Sequence, residues 1–378
     1  MKILMLNYEY PPLGGGAAQA HQHLLKEYAR RNDLWVDVLT AAETPQFRME
    51  TLTENVRLYR LGLHKKNRHY WRKSEVVEWL FKANQYYKKL LHENSYDLVH
   101  AFFAFPSAYP CLKTAGRIPY IVSLRGSDVP GFNVRLKLDY VLLSGLFRRI
   151  WKNASAVIAN SRGLAELARR FEPSLDYAVI PNGVDTDLFS PPASRTLSGR
   201  IKLLTVCRLI SRKRIDLQIE TLDRLLKNQV DAELNIVGDG NLEAPLRTLA
   251  QSLGIADRVH FHGLLDFDQL PAVYRANHLF LMTSQHEGMS NAMLEAMASG
   301  LPVITAPCEG VAELIDHNGI VVPQPSPNEL AAAIAELLAQ PDRYAAMNRA
   351  AADKARQFSW AAVADQYVEH YRRIAAEK

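Results

Sequence analysis

The sequence predicts an α/β protein made of two doubly wound parallel-sheet domains of similar size. Three observations carry that expectation. Short β-rich runs alternate with amphipathic helical stretches from one end to the other, the pattern of parallel strands covered on both faces. The 378 residues suit two domains that each bury a core, and the composition, 48% hydrophobic and 22% charged, is that of a folded globular chain. One Pro/Ser/Gly-rich segment, FSPPASRTLSG at 189–199, divides the alternation into two series.

The first series reads KILMLN, WVDVLT, VRLYRL, DLVHAFF, IPYIVSL, SAVIAN and YAVIPN; the second reads IKLLTVC, AELNIVG, RVHFHG, HLFLMTS, LPVIT and GIVVP. These bound an N-terminal domain over 1–190 and a C-terminal domain over 200–358. The Ala-rich stretch 327–378 reads as helices, broken at Pro341 and at the FSW of 358–360. Doubly wound sheets hold ligands beyond the carboxyl ends of their strands, so the chemistry is sought in the loops that follow them.

Several classes are excluded early. No apolar run approaches the roughly 18 residues of a spanning helix, and the apolar start Ile3–Leu6 stops at Asn7, too soon for a secretory segment. Cys111, Cys207 and Cys308 lie far apart without a C-x-x-C pair, which argues against a disulfide framework or a zinc ribbon and for a reducing cytosolic compartment. The net charge of +5 is uneven: residues 60–90 carry +7, residues 133–153 carry +4, and the remainder is acidic. Both basic stretches interleave aromatics, and the first places Val76, Leu80, Ala83, Tyr87 and Leu90 at helical spacing. Such helices suit an anionic lipid surface, with Lys65, Lys66, Arg68, Arg72 and Lys73 at the headgroups and Trp and Tyr at the interface. A solvated outer helix face is the competing reading. No nucleic-acid-binding motif accompanies the charge.

The loop after the first strand, YPPLGGG at 10–16, leads into a helix from about Ala17. Glycines let backbone N–H groups approach an anion at a helix N-terminus, but Gln19 breaks the dinucleotide fingerprint. Phosphate or sugar approach by Gly15 and Gly16 is the favoured use. After IKLLTVC, the loop RLISRK brings Arg208 and Lys213 to a strand end, where Arg can meet phosphate oxygens bidentately and Lys as a point charge.

The strongest signal is SQHEGMSNAMLEAMASGLPVI at 284–304: strand, loop, capped helix, Gly-Leu-Pro stop, strand. Ser290 or Asn291 can cap the helix, and Gly300 and Pro302 end it. Glu287 in the loop and Glu295 in the helix form an E-x7-E pair around the amides of Gly288, Met289, Ser290 and Asn291. Those amides can hold a diphosphate while the carboxylates accept sugar hydroxyls on either side.

On these residues, together with PNGVDTDLF at 181–189, IVGDG at 236–240 and the closing FSW, the chain resembles the retaining glycosyltransferases of family 4 over nearly its whole length. The resemblance implies the GT-B fold: two Rossmann-like domains facing across a cleft, with a last helix, about 360–378, crossing back to the first. It implies a nucleotide-diphosphate sugar as substrate, no cofactor and no metal. It also implies roles: Gly15, Gly16, Arg208 and Lys213 on the diphosphate, Glu295 on the ribose, and Glu287 with the following amides on the transferred sugar.

One departure stands out. The family's His-Gly-x-Asp is here Arg125-Gly-Ser-Asp128. Arg cannot act as a general base but can stabilise a leaving phosphate or bind an anionic acceptor. Asp128 and His100, which ends DLVH, would lie on the acceptor side, although His100 reads equally well as structural. The D-x-D pairs Asp185/Asp187 and Asp266/Asp268, a metal motif in another glycosyltransferase fold, read here as turn and cap residues. The expectation is therefore a cytoplasmic enzyme, peripheral on the inner membrane face, that moves a sugar to a lipid-linked or glycan acceptor in cell-surface polysaccharide assembly. A soluble acceptor, a nucleotide-sugar epimerase and a non-catalytic nucleotide- or lipid-binding protein are the alternatives. Donor turnover without acceptor would mark the epimerase, and loss of one glutamate would mark the binding protein.

Overall fold

The computed structural model describes residues 1–68 and 70–377, so His69 of the first basic stretch and the terminal Lys378 lie outside the described residues. It divides into two compact units: residues 1–182 with 360–378, and residues 183–359.

The first unit holds β1 (Lys2–Leu6), β2 (Trp35–Ala41), β3 (Arg48–Thr53), β4 (Val56–Leu61), β5 (Leu98–Phe102), β6 (Tyr120–Leu124), β7 (Ala156–Ala159) and β8 (Tyr177–Val179). Their order is β3-β4-β2-β1-β5-β6-β7-β8, parallel except for β3, which pairs antiparallel with β4. The sequence expectation omits β3, and its residues explain why. RMETLT is exposed or half-exposed throughout, so this edge strand shows neither an apolar run nor a buried face. By contrast β5 and β6 are buried at every position, as strands covered on both faces must be.

The second unit holds β9 (Ile201–Val206), β10 (Ala232–Val237), β11 (Val259–Gly263), β12 (Leu279–Met282), β13 (Val303–Thr305) and β14 (Gly319–Val321), in the order β11-β10-β9-β12-β13-β14 and parallel throughout. Numbered from its own first strand this is 3-2-1-4-5-6, the dinucleotide-fold order, with its switch point between β9 and β12. In the first unit the corresponding point falls between β1 and β5. The loops singled out in the sequence follow β1, β9 and β12, strands that flank these two points.

The boundary between the units falls earlier than the Pro/Ser-rich segment suggests. Val184 N–H donates to Phe358 O at 2.7 Å, and Phe189 is buried against Phe267 and Tyr274, so 183–189 belong to the second unit. Arg195 donates to Gly300 O at 2.6 Å and to Ser299 O at 3.1 Å, satisfying carbonyls at the end of helix Asn291–Ala298.

The returning helix Trp360–Ala376 packs within the first unit through Trp360, Val363, Tyr367, Val368 and Tyr371. Among the described residues no helix is long and apolar enough to cross a membrane.

Candidate functional site in the second unit

Beyond β9 the chain passes through Arg208 and buried Leu209 into the turn Ser211–Lys213, then through Arg214, a non-glycine residue in the left-handed region with φ of 50°, into helix Ile215–Lys227. Two sets of bonds fix this loop. On one side, Leu209 N–H donates to Asp239 O at 2.7 Å, and Leu242 N–H donates to Leu209 O at 3.1 Å. IVGDG needs its glycines for this approach: a Cβ on Gly238 would lie 2.0 Å from Cys207 O, and one on Gly240 would lie 2.4 Å from Leu209 O. On the other side, the Thr283 hydroxyl lies 2.9 Å from Lys213 O and 2.8 Å from Arg214 O, and it accepts from Gln218 Nε2 at 2.9 Å.

The result is a Lys213 ammonium held against the Glu287 carboxylate, both mostly buried. Burial pushes the Glu287 carboxyl upward, but Lys213, Arg212 and Arg208 outweigh it and hold the group below its ordinary value. Glu287 is therefore an ionised carboxylate at neutral pH.

The loop carrying Glu287 is braced by a residue that the sequence reading overlooked. Glu309, beyond β13, accepts from Glu287 N–H at 3.0 Å through Oε2 and lies 2.8 Å from His286 Nδ1 through Oε1. Gly310 N–H donates to Glu287 O at 3.0 Å, and a Cβ on Gly310 would lie 2.0 Å from Gly288 O. The available signal was positional: Glu309-Gly310 lies in the loop after LPVIT, at the carboxyl end of a recognised strand.

Of the two possible caps, the structure uses Ser290, whose Oγ accepts from Met293 N–H at 3.2 Å. Asn291 opens the helix. Met289 and Met293 are buried in an apolar cluster, so Met289 contributes backbone to the loop and side chain to the core. The helix ends as read. Gly300, with φ of 70°, and Leu301 donate back to Met297 O and Ala296 O, closing a Schellman motif.

Glu295, half-buried on this helix, accepts from Tyr274 Oη at 2.8 Å. Burial pushes its carboxyl up to about 7, against the downward pull of the Tyr274 bond. The two glutamates thus differ in charge near neutral pH because one faces three cations and the other faces a phenol.

In the first unit, Gly15 is the N-cap of helix Gly16–Ala29, and a Cβ there would meet nothing within 4 Å, so the space beside that backbone is open. Gly14, with φ of 95°, is fixed instead by its packing against Glu9 and Ala18 and by donating to Arg68 O at 2.9 Å.

Three residues expected on the acceptor side have other work. His100 is wholly buried, 2.6 Å from Tyr371 Oη and 2.7 Å from Ser123 Oγ, and burial followed by Arg125 holds it well below its ordinary value, hence neutral. Asp128 is buried and accepts from Ala104 N–H at 2.7 Å and Arg125 N–H at 2.8 Å, fixing two loops. Burial pushes its carboxyl up to about 6 against those bonds. Arg125 lies over the Phe102 ring and donates to Asn182 Oδ1 at 2.9 Å and Tyr367 Oη at 3.1 Å. It joins the last residue before the chain leaves this unit to the helix on which it returns, a bracing contact.

Lys65 is also corrected. Its side chain is 2% exposed, paired with Glu75 at 2.8 Å and set over the Trp71 ring, so it is an internal ion pair and not a lipid contact. Lys66, Arg68, Arg72 and Lys73 are exposed. Trp79 and Trp151 are fully buried, which removes them from any interface. Asp185 Oδ1 accepts from Asp187 and Leu188 N–H, a local turn role for the first D-x-D pair, and at the second Gln269 Oε1 accepts from the Asp266 backbone N–H. Among the described residues no group of three or more His, Cys, Asp or Glu is placed to hold a metal.

The second unit is thus a doubly wound domain that brings cations and a mostly buried carboxylate together at its switch point. Residues 14–188 match the family described as Glycosyltransferase Family 4, and residues 190–354 match Glycosyl transferases group 1. The chain is 32% identical over 306 residues to the GDP-mannose-dependent alpha-(1-6)-phosphatidylinositol monomannoside mannosyltransferase of Mycobacterium tuberculosis, covering 75% of this chain and 78% of that one. It is 28% identical over 400 residues to an uncharacterized glycosyltransferase of Methanocaldococcus jannaschii, covering 100% and 99%. Among solved structures, sucrose-phosphate synthase from Thermosynechococcus elongatus matches with a TM-score of 0.83 at 23% identity, over 100% of this chain and 99% of that one. The chain belongs to glycosyltransferase family 4, and its fold is GT-B.

Proposed function

We propose that the protein is a retaining, metal-independent hexosyltransferase that moves a sugar from a nucleotide-diphosphate sugar to a lipid-linked or glycan acceptor at the cytosolic face of a membrane. The observation that carries this reading is the unlike pair of carboxyls, Glu287 ionised among Lys213, Arg212 and Arg208, and Glu295 near neutrality beside Tyr274. The mycobacterial relative, named for a GDP-mannose donor and a phosphatidylinositol monomannoside acceptor, supports the donor class and the lipid anchor.

In this reading Arg208 and Lys213 take the diphosphate, aided by the partial positive charge of the helix that begins at Asn291. Glu287 and the Gly288–Ser290 backbone hold the transferred sugar, and Glu295 holds the ribose hydroxyls. Within the first unit, the backbone at Gly15 and Gly16 offers an anion-binding helix N-terminus. As the bond between the anomeric carbon and the diphosphate oxygen breaks, negative charge grows on that oxygen, and Lys213 and Arg208 stabilise it there. The acceptor oxygen bonds to the anomeric carbon on the face just vacated, and its proton passes to the departing phosphate. No side-chain base is required, in keeping with the burial of His100 and the bracing role of Arg125. Lys66, Arg68, Arg72 and Lys73 serve an anionic membrane surface.

The test is transfer to a lipid-linked acceptor with and without EDTA, with the product's anomeric configuration read by NMR. The expected result is an unchanged rate and the donor's own configuration in the product. Loss of activity on chelation, restored by Mn²⁺, would show that cationic side chains do not carry the diphosphate charge, and an inverted product would remove the retaining mechanism.

A further inference from the structure

Five large apolar side chains of the first unit stand in water: Val77 (64% exposed) and Phe81 (65%) on helix Lys73–Glu93, and Leu138 (77%), Val141 (66%) and Leu142 (80%) on helix Lys137–Leu142. Val77 and Phe81 follow Lys73 at steps of four, so the three share one stripe, and Leu138, Val141 and Leu142 share another. Lys73 Nζ meets Asp139 Oδ1 at 2.7 Å, which ties the start of the first helix to the second and brings the two exposed stripes into the same region of this unit. Helix amphipathicity explains the first stripe. The same helix buries Trp79, Ala83, Tyr87 and Leu90, so Val77 and Phe81 are surplus to its core face.

The surroundings select the occupant. The acidic residues beside the two stripes are all paired: Glu75 with Lys65, Glu78 with Lys82 and His64, and Asp139 with Lys73. Arg72, Arg135, Lys137 and Arg149 are exposed on these same segments. A second copy would oppose one basic rim with another, whereas an anionic bilayer offers apolar depth beneath a negative surface.

We propose that Val77, Phe81, Leu138, Val141 and Leu142 insert into the acyl boundary of an anionic bilayer while the surrounding bases hold its headgroups. This rests on the reading of the protein as a peripheral membrane enzyme and assigns the anchoring to aliphatic insertion in addition to charge. With Trp79 and Trp151 buried, these five take the place of those two tryptophans, and Tyr70 remains exposed in the first basic stretch.

Flotation with vesicles of phosphatidylcholine, alone or mixed with phosphatidylglycerol, at low and high salt, decides it. Wild-type protein is expected to bind the mixed vesicles and to keep part of that binding at high salt. The Leu138→Ser/Val141→Ser/Leu142→Ser variant, whose changes lie in water and leave the circular dichroism and Tm intact, is expected to lose the salt-resistant part and at least about tenfold in partitioning. Val77→Ser/Phe81→Ser should act in the same direction. Lys66→Gln/Arg68→Gln/Arg72→Gln should lose the salt-sensitive part instead. Apolar variants that bind like wild type overturn insertion while leaving the membrane reading in place. Wild-type protein that binds neither vesicle overturns both. A wild-type dimer that the triple variant converts to monomer, without vesicle binding, assigns the patch to a second copy and also overturns the proposal.

Discussion

Lys213→Ala is expected to lower folding stability by about 3 kcal/mol, because it removes the direct partner of a mostly buried carboxylate and leaves only the more distant charges of Arg212 and Arg208. It should also lower turnover by roughly 10²–10³, the scale of losing one preorganised charge at a leaving oxygen. Glu287 is the reason for the first effect. With Lys213 present its carboxyl sits below its ordinary value, so its contribution to stability is present above that ordinary value and is lost as pH falls through the depressed one. Without Lys213 the downward hold on the carboxyl is left to Arg212 and Arg208 against burial, so this contribution shrinks. Tm measured at acid and neutral pH should show a smaller loss on acidification for the variant than for wild type. Lys213→Arg keeps the charge and should restore most of the stability and part of the turnover, since a planar fork does not reproduce a point contact. Equal Tm and turnover for Lys213→Ala and wild type would mean that the Lys213–Glu287 pair organises nothing.

Gly310→Ala tests the brace beneath Glu287. The new Cβ would lie 2.0 Å from the backbone oxygen of Gly288, so the loop itself must move. Gly310 has no positive φ, and the change therefore acts through this contact and not through backbone strain. Overpacking of this kind costs about 1–3 kcal/mol. A displacement of about 1 Å at Glu287 is enough to lower turnover by roughly 10². Gly145→Ala is the matched control: its Cβ meets nothing within 4 Å, it lies in helix Ser144–Lys152, and it should stabilise by about 0.5–1 kcal/mol with turnover unchanged. Turnover as high for Gly310→Ala as for wild type would remove Glu309-Gly310 from the support of the site.

The strands of both sheets were legible in the sequence because most are apolar runs buried on both faces, and β3 was not, because an exposed antiparallel edge leaves no such trace. The Glu287 loop and its helix were legible for a different reason: Ser290 between the two glutamates and Gly300 and Pro302 beyond them mark the start and end of the helix, and caps act locally. Supports that arrive from distant segments left no pattern. Tyr274, Thr283 and Gln218 meet the site only through the fold, and Glu309 has nothing beside it in sequence that marks its reach to Glu287 N–H. Burial was not legible from residue type. His100, Asp128 and Lys65 are chemically able groups, and in the fold each is turned inward onto a partner.

The most direct measurement is calorimetric titration of a nucleoside diphosphate, without sugar, into wild-type protein, Glu295→Gln and Glu287→Gln at pH 6 and pH 8. Glu295 is assigned to the ribose, which the ligand has, so Glu295→Gln should weaken binding by about 1.5–3 kcal/mol at pH 8. At pH 6 wild-type affinity should itself be lower, because a carboxyl pushed up to about 7 is then largely protonated, and this pH dependence should vanish in the variant. Glu287 is assigned to the transferred sugar, which the ligand lacks, so Glu287→Gln should bind it nearly as wild type does while turning over far more slowly. Loss of nucleotide affinity in Glu287→Gln with none in Glu295→Gln would contradict the division of roles between the two carboxylates.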